Sequence, residues 1–158
     1  MQSGLRSDDV FRGELAKAAA GLTAWAKAHE DCAASDIRNA PGYWKMAVAP
    51  RVTGACPFEV LLRSDQRYDL AIGGEFYEDL EIGSFALFQN VVEAIAHGNV
   101  TRILTTSALT GALQSLETRV ALPNGTIWSG ARSHVENSRR CPPESELNEV
   151  RRFLPYRR

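Results

Sequence analysis

FEVLLR (58–63), SDQR (64–67), YDLAIGG (68–74), EFYEDLEIG (75–83) and SFALFQNVVEAIAHG (84–98) follow one another without interruption. In the first segment Phe58, Val60 and Leu62 alternate with Glu59, Leu61 and Arg63. In the third, Tyr68, Leu70 and Ile72 share a face. A period of two with one apolar side predicts two half-buried strands, and the polar SDQR between them makes a hairpin. In the last segment Phe85, Phe88, Val91, Val92, Ile95 and Ala96 recur at helical spacing. Ser84 precedes that stripe as an N-cap and Gly98 follows it as a left-handed C-cap. The unit is therefore strand, turn, strand, link, helix.

Outward from this unit, Ser7 with Asp8 and Asp9 is a helix start, because acids favour the positive end of the helix dipole. Phe11, Leu15, Ala18, Leu22, Trp25 and Ala26 then continue one apolar stripe to about His29. Residues 1–6 are expected to fray. Residues 30–42 are rich in Asp, Ser, Asn, Pro and Gly and read as a loop. YWKMAVAP (43–50) alternates Trp44, Met46 and Val48 against Tyr43, Lys45, Ala47 and Ala49, which predicts a strand. Downstream, 100–107, 111–122 and 126–132 read as three more strands. The last two are joined by Pro123-Asn124-Gly125, and Asn-Gly between strand-like runs is a strong hairpin signal. On the long strand Leu116, Val120 and Leu122 share a face with Gln114 and Thr118, while Glu117 and Arg119 face outward.

The expected order is α-β-β-β-α-β-β-β. Pro142-Pro143 and the acid-to-arginine gradient of ESELNEVRRFL add a short C-terminal helix. Hairpin-length connections leave no room for parallel crossovers. The fold class is α+β, an antiparallel sheet of about six strands packed by two main helices. Residues 1–132 form a single domain and 133–158 an arginine-rich tail. The order α-βββ-α-ββ with a short final helix resembles that of small type III secretion chaperones, which are dimeric and acidic. The likeness is one of element order without shared motifs and implies fold rather than function. The strand carrying Trp128 departs from it.

Length and composition set the class. The 158 residues suit one domain with a real core, and 44% hydrophobic with 23% charged residues is ordinary for a globular chain. There is no apolar run of about 18 residues and no basic start leading into an apolar stretch, so the expected setting is cytoplasmic, without membrane contact. Cys32, Cys56 and Cys141 are odd in number and widely spaced, which speaks against a disulfide framework or a zinc site. Asn99 and Asn124 each open a glycosylation-type triplet and are read as turn residues. Charge is uneven beneath a net of −1. Residues 58–100 carry eight acids against Arg63 and Arg67, a net of −6, whereas 132–158 carry seven arginines against four glutamates, a net of +3. An acidic body repels phosphate, so nucleic acid is not an expected partner.

Dinucleotide, phosphate, zinc-protease, nucleophile-elbow and calcium-loop motifs are all missing. Cys56 or Cys141 with His97 or His134 makes a nucleophile pair only on paper. Glu93 and His97, one helical turn apart, read as a solvated pair rather than a shared metal or proton. His29 reads as a cation-compatible helix end, and Trp44 and Trp128 as packing residues. No catalytic residue, metal or cofactor is expected. One stretch is not explained by burial. Glu75, Phe76, Tyr77, Glu78, Asp79 and Glu81 concentrate acids and aromatics in an apparent link, and this set is the candidate binding surface. The expected function is a non-catalytic protein-binding or adaptor domain, chaperone-like or immunity-like, acting on a protein partner or on itself as a homodimer. The alternative is a small-molecule-binding protein or enzyme with a pocket between sheet and helices.

Overall fold

The computed structural model describes residues 7–133 and 146–157. Helix α1 spans Asp8–Ala28. It is followed by β1 (Ala33–Ala40), β2 (Tyr43–Pro50), β3 (Phe58–Arg63), β4 (Arg67–Ile72) and β5 (Glu75–Glu81). Helix α2 spans Ala86–Ala96, and β6 (Val100–Ser107), β7 (Leu113–Ala121), β8 (Ile127–Ser133) and β9 (Glu146–Arg152) complete the chain. The α+β class stands, but the strands are distributed over two antiparallel sheets, β1-β2-β3-β4-β5 and β8-β7-β6-β9.

Three expectations need correction. Residues 30–42 are not a loop, since 33–40 pair with β2 from Ala33 opposite Pro50 to Ala40 opposite Tyr43. The stretch AASDIRNA holds only one β-branched residue, Ile37, so its strand state comes from hairpin pairing and not from propensity. The acidic link is a strand too, because β5 adds to β4 and completes a five-strand meander. The expected C-terminal helix is instead a strand. Residues 146–152 lie antiparallel along β6, with Ile103 opposite Val150, and the open edge of β6 overrides the helix-forming composition of ELNEVRR. Pro142-Pro143, Cys141, His134 and residues 1–6 lie outside the described residues.

The first sheet buries one face. Trp44, Met46 and Val48, Phe58, Val60 and Leu62, and Tyr68, Leu70 and Ile72 sit in successive strands at matched register and form the floor of the core. Both helices cover this floor. Helix α1 contributes Phe11, Leu22, Trp25 and Ala26, and α2 contributes Phe88, Val91, Val92 and Ile95. Each large side chain removed from water in this way contributes roughly 1.5–3 kcal/mol. Trp25 meets Phe58 edge-on at 5.7 Å, and Tyr68 meets Phe88 at 5.0 Å. Neither N-cap works as the sequence suggests. Ser7 and Phe85 hold the cap positions without a side-chain cap bond, and Ser84 Oγ accepts the Ala86 amide two residues on. The α2 C-cap does hold, with Gly98 at φ +79° and the Asn99 amide donating to Ala94.

The last described residues return to the beginning. After β9, Leu154 donates to the Gly54 carbonyl, Tyr156 is buried with its hydroxyl on the Cys56 carbonyl, and Arg157 reaches the Ala28 carbonyl and Asp31 at 2.8 Å each. The Arg157 guanidinium holds the Asp31 carboxyl below its ordinary range.

Candidate functional site

The six candidate residues lie on one strand, and the structure divides them three ways. Paired residues share a face, so Tyr77, opposite Leu70, points to the core side, whereas Phe76, opposite Ala71, points to the other. Between Tyr68 and Leu70 the register shifts by a bulge. Asp79 takes φ +60° there, and its amide donates to Asp69 Oδ1 at 2.7 Å. Among residues with a side chain, a short polar one that can hydrogen-bond locally tolerates that left-handed conformation best.

Tyr77 is scaffold. Its hydroxyl shares a 2.7 Å hydrogen bond with Thr118 of β7, and its ring meets Trp128 of β8 edge-on at 5.3 Å. A Cβ on Gly130 would stand 2.6 Å from the ring, so only glycine leaves space for Tyr77 there. Trp128 Nε1 in turn donates to the Tyr68 hydroxyl at 3.1 Å. This chain of contacts joins the second sheet to the first. Burial pushes the Tyr77 phenol up, opposed by the bond from Thr118, and burial does the same to Tyr68.

Most of the acids are already paired within the chain. Asp79 lies 3.2 Å from Arg63 and 3.6 Å from Arg67, Glu81 is 3.9 Å from Arg67, and Glu75 is 4.0 Å from Arg132. Arg63 also binds Asp65 and lies near Asp69. The cluster is an exposed arginine–carboxylate network at the open end of β3, β4 and β5, a surface arrangement of small energetic weight. Glu78 forms no ion pair among the described residues.

Phe76 and Glu78 belong to a different surface, the outer face of the first sheet. By register that face carries Ala34, Asp36 and Arg38, then Tyr43, Lys45, Ala47 and Ala49, then Glu59, Leu61 and Arg63, then Asp69 and Ala71. Both helices lie on the opposite side, and no described element covers this face. A trough of about 410 Å³ runs over Ala34, Ala47, Ala49, Pro57, Ala71 and Gly74, with Asp36 and Glu59 at its sides. It adjoins a smaller hollow of about 200 Å³ bounded by Leu61, Ala71, Phe76 and Glu78. Phe76 is 51% exposed, a high value for a phenylalanine on a sheet face. Two charge pairs border this floor, Lys45–Glu59 at 3.0 Å and Arg38–Asp36 at 3.4 Å.

The remaining chemical candidates are not assembled. Cys56 is buried, its Sγ lies on the Pro57 carbonyl at 3.4 Å, and burial pushes its thiol up to about 12, far from a usable thiolate. His97 Nδ1 lies 2.7 Å from the Glu93 carbonyl, so it is held by main chain and not by the carboxylate. His29 does the same on the Trp25 carbonyl and stacks on that indole at 4.2 Å. Trp44 is a core residue and Trp128 a half-buried packing residue. Among the described residues no group of three His, Cys, Asp or Glu side chains is placed to hold a metal. No described helix is long and apolar enough to cross a membrane.

The trough was not found from sequence. Its signal was the set Ala47, Ala49 and Ala71 on strand positions where a solvated face ordinarily carries longer polar side chains. The contribution of Ala34 depended on recognising β1. No family model, curated protein or solved structure matches the chain.

Proposed function

We propose that the chain is a non-catalytic protein-binding domain, an adaptor of the chaperone-like or immunity-like kind, that receives a protein partner on the open outer face of its first sheet. The observation that carries this reading is the combination of an uncovered alanine-floored trough with exposed Phe76 beside it. Small side chains let a partner backbone or apolar side chain come close, and a protruding aromatic is the residue type most often found to anchor an interface. Asp36, Glu59 and Glu78 supply a polar border, the usual surround of such a contact. The space between sheet and helices is filled by side chains such as Met46, Val60, Leu62, Val92 and Ile95, each without exposed surface. That packing favours a surface contact over the alternative of an internal ligand pocket. A cytoplasmic setting suits the free thiols of Cys32 and Cys56, which are buried and unbridged.

Cross-linking in extracts of the native cells, with unaltered, Phe76→Asp and Ala47→Arg chains as bait, tests the reading. A single stoichiometric partner linked through Lys45 and lost in both variants is expected, with melting temperatures unchanged. Equal capture by all three chains rejects this face. A small-molecule panel that raises the melting temperature of the unaltered chain but not of Ala47→Arg transfers the trough to ligand binding.

A further inference from the structure

Among the described residues no strand pairs with the outer edge of β1, and its pattern of charges and amides fits one partner. The hairpin β1–β2 fixes which amides are free. Cys32 accepts a hydrogen bond from the Arg51 amide, and the register keeps that parity along the pair, so Cys32, Ala34, Asp36, Arg38 and Ala40 direct their main chain toward β2. Ser35, Ile37 and Asn39 therefore direct their N–H and C=O groups outward. β1 contains no proline and no bulge, and the charges on this edge, Asp36 and Arg38, are of opposite sign. Residues 34–39 are exposed without a break. Ile37 projects on the core side of the sheet yet remains 36% exposed, with no strand beyond it among the described residues.

We infer that a second copy of this chain pairs with β1 in antiparallel fashion about a two-fold axis through Ile37, joining the two five-stranded sheets into one. In this register Ile37 faces Ile37 of the second copy and Ser35 faces Asn39. These pairs present main-chain donors and acceptors to each other on both sides of the axis. Asp36 then stands opposite Arg38 of the second copy, twice, at the closely spaced pairs where side chains approach most. In the single chain Asp36 and Arg38 lie 3.4 Å apart along the same strand, both about two-thirds exposed. Pairing leaves each with an opposite charge across the strand boundary as well as along it.

The alternatives are worse on charge. An axis through Asp36 sets Asp36 against itself, and one through Arg38 sets Arg38 against itself, both unfavourable. An axis through Ser35 or Asn39 keeps the amide parity but leaves Asp36 and Arg38 without each other. The charge order on β1 thus selects one register. The outer face becomes continuous across the axis, since Ala34 and Asp36, which flank the trough, lie beside Ala40 and Arg38 of the second copy. The inference deepens the protein-binding reading by naming a second copy as one partner, and it rests on a different edge of the molecule from Phe76.

Sedimentation velocity at micromolar concentrations reads the association directly. The unaltered chain is expected to sediment as a dimer. Arg38→Glu places four acids around the axis and is expected to weaken association about tenfold or more. The swap Asp36→Arg with Arg38→Asp restores it. In a Cys141→Ser background, Ile37→Cys is expected to form an intermolecular disulfide on mild oxidation, because the facing Cα atoms of such a pair stand about 5.5 Å apart. Ser35→Cys, displaced from its own copy, is expected not to. A monomeric unaltered chain, a dimer indifferent to Arg38→Glu, or cross-linking at Ser35 in place of Ile37 overturns the inference. Phe76→Asp serves as the separating control. It leaves sedimentation unchanged whether or not the outer-face partner is real, so failure at β1 and failure at the trough are told apart.

Discussion

Removing the phenol of Tyr77 and the hydroxyl of Thr118, singly and together, measures how the two sheets are joined. The two oxygens are 2.7 Å apart and buried, with Tyr77 7% exposed and Thr118 not at all. Tyr77→Phe leaves the Thr118 hydroxyl without its partner, and Thr118→Val leaves the phenol in the same position. Each single change leaves a buried polar group unpaired and incurs its desolvation penalty, about 1–3 kcal/mol. The double variant replaces both with apolar groups of nearly the same shape and loses only the net value of the bond, about 1 kcal/mol. With singles of about 2 kcal/mol each and a double of about 1 kcal/mol, the cycle predicts a coupling of about 3 kcal/mol and no less than about 1 kcal/mol, with the double variant no less stable than the worse single one. Urea unfolding followed by tryptophan fluorescence is suitable, because Trp128 packs against the Tyr77 ring. In a chain of this length each kcal/mol moves the melting temperature by about 2–4 °C, so the singles are resolvable. Strictly additive single changes would refute the reasoning, since they mean that the two hydroxyls do not depend on each other.

Two further outcomes follow from particular geometry. A Cβ added at Gly98 would stand 2.8 Å from the Pro155 nitrogen and 3.1 Å from the Phe153 carbonyl oxygen, on backbone that cannot give way, whereas Gly125 has nothing within 4 Å. Both hold positive φ, so Gly125→Ala should cost about 1–2 kcal/mol from conformation alone and Gly98→Ala clearly more, as read from their melting temperatures. Alkaline pH should destabilise the fold in part through Cys56. Its thiol is raised from 9.0 to about 12, so its contribution is full below pH 9 and is lost as pH rises toward 12, at up to about 1.4 kcal/mol per pH unit. Cys56→Ala should flatten the fall of the urea midpoint over that window, and an identical slope in both chains would exclude the thiol as a contributor.

The elements with complete periodicity were legible in the sequence. The stripes of α1 and α2, the alternation in β2, β3, β4 and β7, and the Asn124-Gly125 turn match the buried residues nearly one for one. What was not legible has a common cause. AASDIRNA, EFYEDLE and ELNEVRR lack a clean period-two apolar set, and each becomes a strand by adding to an edge that other residues had built. The candidate surface suffered the same way. Read as a link, Glu75–Glu81 looks like a single acidic patch. Read as a strand, alternate residues separate, so Tyr77 joins the core while Phe76 and Glu78 face out. The pairing of Asp79 with Arg63 and Arg67 depends on the bulge at Tyr68–Leu70, which has no sequence mark.

The return of Tyr156 and Arg157 to the first half of the molecule has a kinetic consequence. The Tyr156 hydroxyl meets a carbonyl 100 positions upstream, and Arg157 meets one 129 positions upstream. Closing loops of that length must precede the reward from the contacts they make, which slows folding. During synthesis the first sheet and both helices can assemble while the place of Tyr156 beside Trp25 is still vacant. β6 likewise waits with an open edge until residues 146–152 have emerged from the ribosome. For that interval β6 is an edge strand like β1, and of these two only β6 later gains a neighbour among the described residues.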